Sequence, residues 1–353
     1  MTPIGSDART PARGLRAFVQ APPVTAMVVG YLVYLAGLFL VWKAVLLWTP
    51  DQVGLQMPGH NLHIANLHHH LYAQAMEAIV LFPALFIVEL VLTGWQNSSL
   101  RYLFSRAPSA MSDLACWLLG ESRLMSLLAL IMSLGVGLIG GDMIHAWIAK
   151  TTGVNLTTAG WPIWVQLPIL FLIFSFFDYW NHRVDHAALF WPLHRFHHSA
   201  EQFCIMTTTR VHPAVFSSVI SAVGPAAVLG APPETIAELV VLVGLLRNVI
   251  HSRIDSNFGW IGRWVLQSPN HHRLHHVLDI SVVPTGHFSL CPLWDRLFGT
   301  WRGEADQTLP IGVTDAPYRH GLWIGPDLWR DYMDFWKGWI PRRKPAPSAS
   351  TSS

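Results

Sequence analysis

Three histidine clusters stand out in this chain of 353 residues. They read His182-Arg-Val-Asp-His186, His194-Arg-Phe-His197-His198 and His271-His272-Arg-Leu-His275-His276, with His212 and His251 between the last two. On a helix, residues i, i+3 and i+4 share one face. His182 and His186, then His194, His197 and His198, then His272, His275 and His276 therefore each aim their imidazoles one way. His271 falls outside that pattern. Imidazole is the commonest metal ligand near neutral pH. With His251 the set offers nine ring systems, too many for one ion. They suit two ions with four or five ligands each and a position left for oxygen.

The ligand chemistry narrows the metal. Structural zinc takes four ligands and often cysteine, and copper usually uses smaller histidine sets. Non-haem iron accepts imidazole and keeps open positions for oxygen, so iron is the expected metal. Cys116, Cys204 and Cys291 lie far apart with no C-x-x-C, which excludes a disulfide framework, a thiolate zinc site and a c-type haem attachment. His212, in Arg210-Val-His212-Pro213, reads as a ligand, a residue that steadies a ligand, or a helix-end residue. His145 and His320 read as ordinary polar residues. His60, His63 and His68-His69-His70 read as a polar interfacial loop, with a separate metal or proton-relay site as the alternative.

Elements must position these clusters, and composition says which. The chain is 52% hydrophobic and only 12% charged, with mean hydropathy +0.35. A soluble domain carries about 25% charged residues. An integral membrane protein is expected, and the formal net charge of +2 implies no nucleic-acid partner. Apolar runs of spanning length are Val24–Trp48, Leu71–Thr93, Arg123–Ile148 and Trp161–Tyr179. A further run, Pro213–Ile250, is broken near Gly230-Ala-Pro-Pro233 and accommodates a hairpin. The first run is too long for a signal-peptide core and reads as a retained anchor. Gly135-Val-Gly137-Leu-Ile-Gly140 lies inside an apolar span with no preceding strand, so it reads as close helix packing rather than nucleotide binding.

The fold class expected is an all-α integral membrane protein, with four to six transmembrane helices and a cytoplasmic helical cap holding the dimetal site. Residues 1–20 form a flexible tail, 21–340 a single membrane domain with its histidine region at 177–300, and 341–353 a second, disordered tail. Arg9, Arg13 and Arg16 precede the first span; Arg101, Arg106 and Arg123 separate the second and third; Arg183, Arg195 and Arg210 follow the fourth. The positive-inside rule then puts the termini and every main cluster on the cytoplasmic side. His182 would stand where the fourth span leaves the bilayer, within reach of a lipid.

The motifs resemble those of the fatty acid hydroxylase/sterol desaturase superfamily of membrane di-iron oxygenases. The likeness runs from Phe177-Asp178-Tyr-Trp-Asn-His182-Arg-Val-Asp-His186 through His194-Arg-Phe-His197-His198-Ser199 and Arg210-Val-His212-Pro213. It continues with Pro269-Asn-His-His272-Arg-Leu-His275-His276 and Leu293-Trp-Asp295-Arg-Leu-Phe-Gly-Thr300. The resemblance implies a four-helix membrane core and a di-iron centre on His182, His186, His194, His197, His198, His272, His275 and His276, with His251 as the isolated ninth ligand. It implies dioxygen as co-substrate, an external electron donor, and hydroxylation or desaturation of a lipid. One departure is Gly286-His287-Phe288, where the family usually has Asn-Tyr/Phe-Gly. His287 is an extra ligand or a substituted turn residue; His212 and His271 are the other additional candidates.

Asp178, Asp185 and Asp295 are candidates to orient imidazole N–H groups; the alternatives for each are a surface ion pair or a helix cap. A lipid hydroxylase is expected, acting on a sterol, hopanoid, carotenoid, acyl or ether lipid, with a desaturase on the same centre as alternative. No fused donor is visible, so a ferredoxin, cytochrome or flavin reductase would dock from the cytoplasm. A metal transporter or sensor is the reading from another class; clusters outside the spans and the lack of repeated halves oppose it.

Overall fold

The computed structural model describes residues 22–48, 50–57, 60–64, 68, 80–121, 136–214, 224–278, 286–304 and 308–340. Expectations for the two tails, for His69 and His70, and for parts of the second, third and fifth apolar runs lie outside these residues. The described chain is overwhelmingly helical. Two helices in it are long and apolar enough to cross a membrane: Val24–Trp48, within α1 (Pro22–Trp48), and Ile163–Asp185.

The all-α expectation needs one correction. Val53–Met57 (β1) and His60–Ile64 (β2) form an antiparallel hairpin, with Leu55 opposite Leu62 and Met57 opposite His60. Both segments alternate apolar and polar residues, the strand period, and Pro58-Gly59 between them is a turn signal. His60 and His63 thus belong to a strand rather than an irregular loop. The backbone N–H of His68 donates to Asp51 Oδ1 at 3.0 Å.

The elements that matter for the site follow in order. They are α2 (Phe82–Thr93), α3 (Ser99–Phe104), α4 (Pro108–Glu121), α5 (Val136–Thr152) and α6 (Ile163–Asp185). Next come α7 (Trp191–His198), α8 (Pro233–Ile250), α9 (Gly259–Trp264), α10 (Pro269–His275), α11 (Pro292–Leu297) and α12 (Gly325–Gly338). Proline fixes several starts: Pro192, Pro233, Pro269 and Pro292 all sit in a first turn, where the missing N–H costs nothing. The expected break between the first two clusters is present. Helix α6 ends at Asp185, and α7 begins at Trp191-Pro192.

One core joins α6 to α8 through Leu170, Phe171, Phe174, Leu239, Val243 and Ile250. Each such side chain contributes about 1.5–3 kcal/mol on burial. A second core packs α2 and α4 against the 3-10 turn Ile205–Thr209 through Phe82, Phe86, Ala110 and Ile205. Buried polar contacts tie the cores together. Glu89 accepts from the Ser99 N–H at 2.6 Å, the Ser99 hydroxyl at 2.8 Å and the Arg253 N–H at 2.7 Å. It is fully buried. Arg210, also fully buried, donates to Asp113 Oδ1 at 2.8 Å and to Ser199 Oγ at 3.0 Å.

Helix α12 is amphipathic in reverse. Its buried side carries Asp327 and Asp331, while Trp329 and Trp336 stand outside. The acidic side faces α7, where Arg195 donates two bonds to Asp331 Oδ1 at 3.0 and 2.8 Å. Since Arg195 lies between His194 and His197, α12 fixes the roll of the helix that carries the second cluster.

Candidate metal centre

Helices α6, α7 and α10, with the C-cap of α8, bring nine histidines to one place. They fall into two groups, each able to hold a metal ion. His182, His186, His194, His198 and His275 make one; His197, His251, His272 and His276 make the other. Within each group the available ligand atoms lie within 4.8 Å of one another. The groups are adjacent: the rings of His198 and His276 stack at 4.2 Å between centroids.

The Nε2 atoms converge. In the five-histidine group His182 and His194 are 3.1 Å apart, His194 and His198 3.1 Å, His182 and His275 3.0 Å, and His186 and His275 3.2 Å. In the four-histidine group His251 lies 2.9 Å from His272 and 3.2 Å from His197, and His272 lies 3.1 Å from His276.

Tautomers explain what this convergence requires. His182 Nδ1 lies 2.8 Å from the Phe288 carbonyl, and His275 Nδ1 lies 2.6 Å from that of Gly286. A carbonyl only accepts, so each neutral ring carries its proton on Nδ1 and presents a lone pair at Nε2. Two such lone pairs 3.0 Å apart repel unless a cation lies among them. The neutral state is enforced. Burial, and after it the neighbouring imidazoles, hold His186, His194, His197, His198, His272, His275 and His276 well below the ordinary imidazole value. Burial lowers His251 to about 3. The donor set therefore fits two imidazole-bound cations.

Of the three carboxylates expected to orient imidazoles, Asp295 and Asp178 act only at one remove, and Asp185 has no such link. Asp295 accepts from the Phe288 N–H at 2.9 Å, the Ser289 N–H at 3.1 Å and the Thr300 hydroxyl at 2.8 Å; the Phe288 carbonyl then receives His182. Burial raises Asp295 to about 6, while these N–H and O–H donors act the other way. Asp178 pairs with Arg247 at 2.6 Å, and the Arg247 carbonyl receives His251 Nδ1 at 2.7 Å. Asp185 accepts from the Asn181 amide at 3.3 Å. Among the described residues no hydrogen bond links any of the three to an imidazole; backbone carbonyls take Nδ1 of His182 and His251 instead.

The additional histidine candidates stay outside both groups. His212 bonds the Leu328 carbonyl through Nε2 at 2.9 Å and accepts the Ala214 N–H through Nδ1 at 3.1 Å, so both ring nitrogens are used. His271 Nδ1 pairs with the Ser268 hydroxyl at 2.9 Å. His287 accepts the Arg302 N–H at 3.2 Å and stacks on His271. Its φ of 62° is a turn conformation costly for a side chain with a Cβ. The neighbouring Gly286 has its own reason: a Cβ there would lie 2.3 Å from the Thr300 carbonyl oxygen.

A cavity of ≈ 120 Å³ opens against both groups, lined in part by His182, His194, His197, His251, His272 and Phe288. Two contributors to the site were not expected from sequence. Phe203 packs on the rings of His251, His272 and His276 at 5.3, 5.9 and 5.0 Å and carries no sequence signal. Arg247 had one: a lone cation in a long apolar run is costly and usually functional.

Residues 167–300 match the family model for fatty acid hydroxylase. That segment contains every one of the nine clustered histidines. This histidine-bearing segment carries the fatty acid hydroxylase match, and with the relatives below it supports a place in the fatty acid hydroxylase/sterol desaturase superfamily. Among curated proteins it is similar to the alkylglycerol monooxygenase of Danio rerio, 29% identical over 202 residues, covering 52% of this chain and 44% of the relative. It is similar to that of Xenopus tropicalis, 31% identical over 157 residues, covering 44% and 33%. The Homo sapiens protein of the same name is 28% identical over 188 residues, covering 48% and 42%. The chain thus spans less than half the length of each of these relatives. No solved structure matches it.

Proposed function

We propose that this protein is a membrane-bound, di-iron, dioxygen-dependent hydroxylase of a lipid, and that an ether lipid is the first substrate to test. The observation that carries the reading is the pair of converging all-imidazole groups beside one cavity. The similarity to alkylglycerol monooxygenases supports the lipid and the reaction type. The ligands would be His182, His186, His194, His198 and His275 for one iron, and His197, His251, His272 and His276 for the other. A desaturase on the same centre has no observation in its favour over hydroxylation.

Bound iron would supply the activation of dioxygen needed to break an unactivated C–H bond, with electrons from an external donor. The chain's own residues do the rest. Carbonyls of Phe288, Gly286 and Arg247 fix three rings with Nε2 inward. Phe203 packs on three rings of the four-histidine group and holds them in place. The cavity holds substrate against both groups.

The setting follows from α6. It is apolar enough to span a bilayer and delivers His182 at its C-terminal end, which would put the reaction at interface depth; the cytoplasmic side is proposed from Arg183, Arg195 and Arg210, which lie at and beyond that end. Comparative lipid mass spectrometry of cells making the protein or its His197→Ala variant tests the reading. A wild-type-dependent lipid carrying one added oxygen atom is expected. A lipid lacking two hydrogens would turn the assignment to desaturation, and unchanged lipids with stoichiometric zinc would overturn it.

A further inference from the structure

Helix α12 turns its apolar face away from the protein. Trp329, Met333, Trp336 and Ile340 are exposed and fall at i, i+4, i+7 and i+11, one stripe of a helix. Trp339 and, just before the helix, Trp323 widen it. The carboxylates of α12 are spent elsewhere. Asp327 pairs with Arg330 at 3.2 Å, Asp331 with Arg195 at 2.8 Å, and Asp334 with Arg195 at 2.5 Å and Lys337 at 2.9 Å. After Ile340 the sequence continues Pro341-Arg342-Arg343-Lys344, adding three cations and no acid. An exposed apolar stripe of this extent marks a contact with a partner or a membrane.

Tryptophan suits both a protein interface and a lipid headgroup layer, so place and charge decide. Gly338 lies against Leu189, whose Cδ1 would be 3.4 Å from an added Cβ, and Phe335 meets Phe190 at 5.9 Å between ring centroids. Leu189 and Phe190 follow directly on α6, the span-length helix that ends at Asp185. On the membrane reading, α12 therefore lies at the level where α6 leaves the bilayer. The cations Lys337, Arg342, Arg343 and Lys344 complement the negative surface of an anionic leaflet. We propose that α12 lies in the headgroup layer of an anionic leaflet as an in-plane anchor, its tryptophan stripe toward the acyl chains. The contact reaches the metal centre. The inner face of α12 holds Arg195, between His194 and His197, through Asp331 and Asp334. The Leu328 carbonyl holds His212, which lines the cavity. The leaflet thus steadies the roll of α7 and one part of the cavity wall. This rests on the membrane setting proposed above, not on the reaction.

The test reads depth directly. Full-length protein is placed in bilayer discs of phosphatidylcholine and phosphatidylserine, with a nitroxide label at Trp336→Cys, at Ile340→Cys or, in α6, at Leu172→Cys. The native cysteines Cys116, Cys204 and Cys291 are buried, so the label goes to the introduced thiol. Labels at 336 and 340 should collide with dissolved oxygen more than with a water-soluble paramagnetic chelate. Discs of phosphatidylcholine alone should shift both toward water. Preference for the chelate in the anionic discs would overturn the proposal, and so would shielding from both probes, which marks a protein cover such as a second copy. Position 172 separates the two readings. Lipid exposure there with water at 336 and 340 sinks only the α12 anchor, whereas water at all three sinks the membrane setting as well. Chelator challenge reads the coupling to the site. The double variant Trp329→Ser with Trp336→Ser should hold metal about tenfold more weakly than wild type in anionic discs, the scale of losing a group that steadies a ligand. The gap should shrink in discs of phosphatidylcholine alone. No gap, or the same gap in both lipids, would overturn the coupling.

Discussion

The two histidine groups use the same side chain and are held in different ways. In the five-histidine group, His182 and His275 are pinned through Nδ1 by the carbonyls of Phe288 and Gly286, and Asp295 holds the backbone that presents the first of these. In the four-histidine group only His251 has such an anchor; Nδ1 of His197, His272 and His276 is buried without a partner. There Phe203 presses on three of the four rings. Carbonyl bonds weigh more in the first group, where Phe288 also packs on His182, His186 and His275, and packing weighs more in the second. The lesson is that imidazole position can be set by direction or by volume, and the two should fail under different insults.

The largest effects should ignore the difference. His194→Ala and His276→Ala each remove a converging nitrogen, one from each group, and both should cut lipid oxidation by roughly 100-fold or more, above the cost of losing a supporting residue. Retained turnover in either would mean that one group is dispensable. Next in size is Arg210→Ala. His197 and His198 are neighbours on α7 that go to different groups, and Arg210 holds the end of that helix through Ser199. Breaking its buried pair with Asp113 should cost roughly 3–5 kcal/mol, lower the thermal midpoint and loosen both metals together.

A contrasting pair of variants sharpens the comparison. Phe203→Ala leaves a cavity worth roughly 3 kcal/mol or more and should release metal first from the four-histidine group. Asp295→Asn weakens charge-assisted bonds to two N–H groups, at about 1–3 kcal/mol, and should reduce metal affinity by roughly 10–100-fold in the five-histidine group. Site-resolved spectroscopy during chelation reads both. Identical release orders would erase the distinction between direction and packing.

Acid should give the mildest and broadest effect. The clustered imidazoles are held neutral in the fold, below their unfolded value of about 6.5. The unfolded chain therefore binds more protons as pH falls through that value. Stability is full above it and declines progressively below it, with metal release in the same direction. A metal-free sample whose thermal midpoint is flat from neutral pH to mild acid would contradict the burial of neutral rings.

The helical spacing of the clusters was legible because the end of α6 and the short helices α7 and α10 keep i, i+3 and i+4 on one side. The Trp191-Pro192 break and the turn before Pro233 were legible for the same local reason. The assignment of neighbours His197 and His198 to different groups was not, since it depends on how α7 rolls against α12 through Arg195 and Asp331. Helix α12 itself went unread because its apolar face points outward and its acidic face inward, opposite to the usual pattern. Phe203 and the carbonyl anchors could not be read either: one is a long-range packing contact, and backbone carbonyls leave no mark in a sequence. The Val53–Ile64 hairpin was not legible because its strands are only five residues each and carry two histidines on an otherwise weak strand-period alternation.

The most direct test of the central claim is the metal content of purified full-length protein, wild type beside His275→Ala and His272→Ala. Two groups imply about two iron ions per chain in wild type and about one in each variant. The retained ion should carry a different spectroscopic signature in the two cases. A single ion in wild type, or the same surviving signature in both variants, would contradict the account.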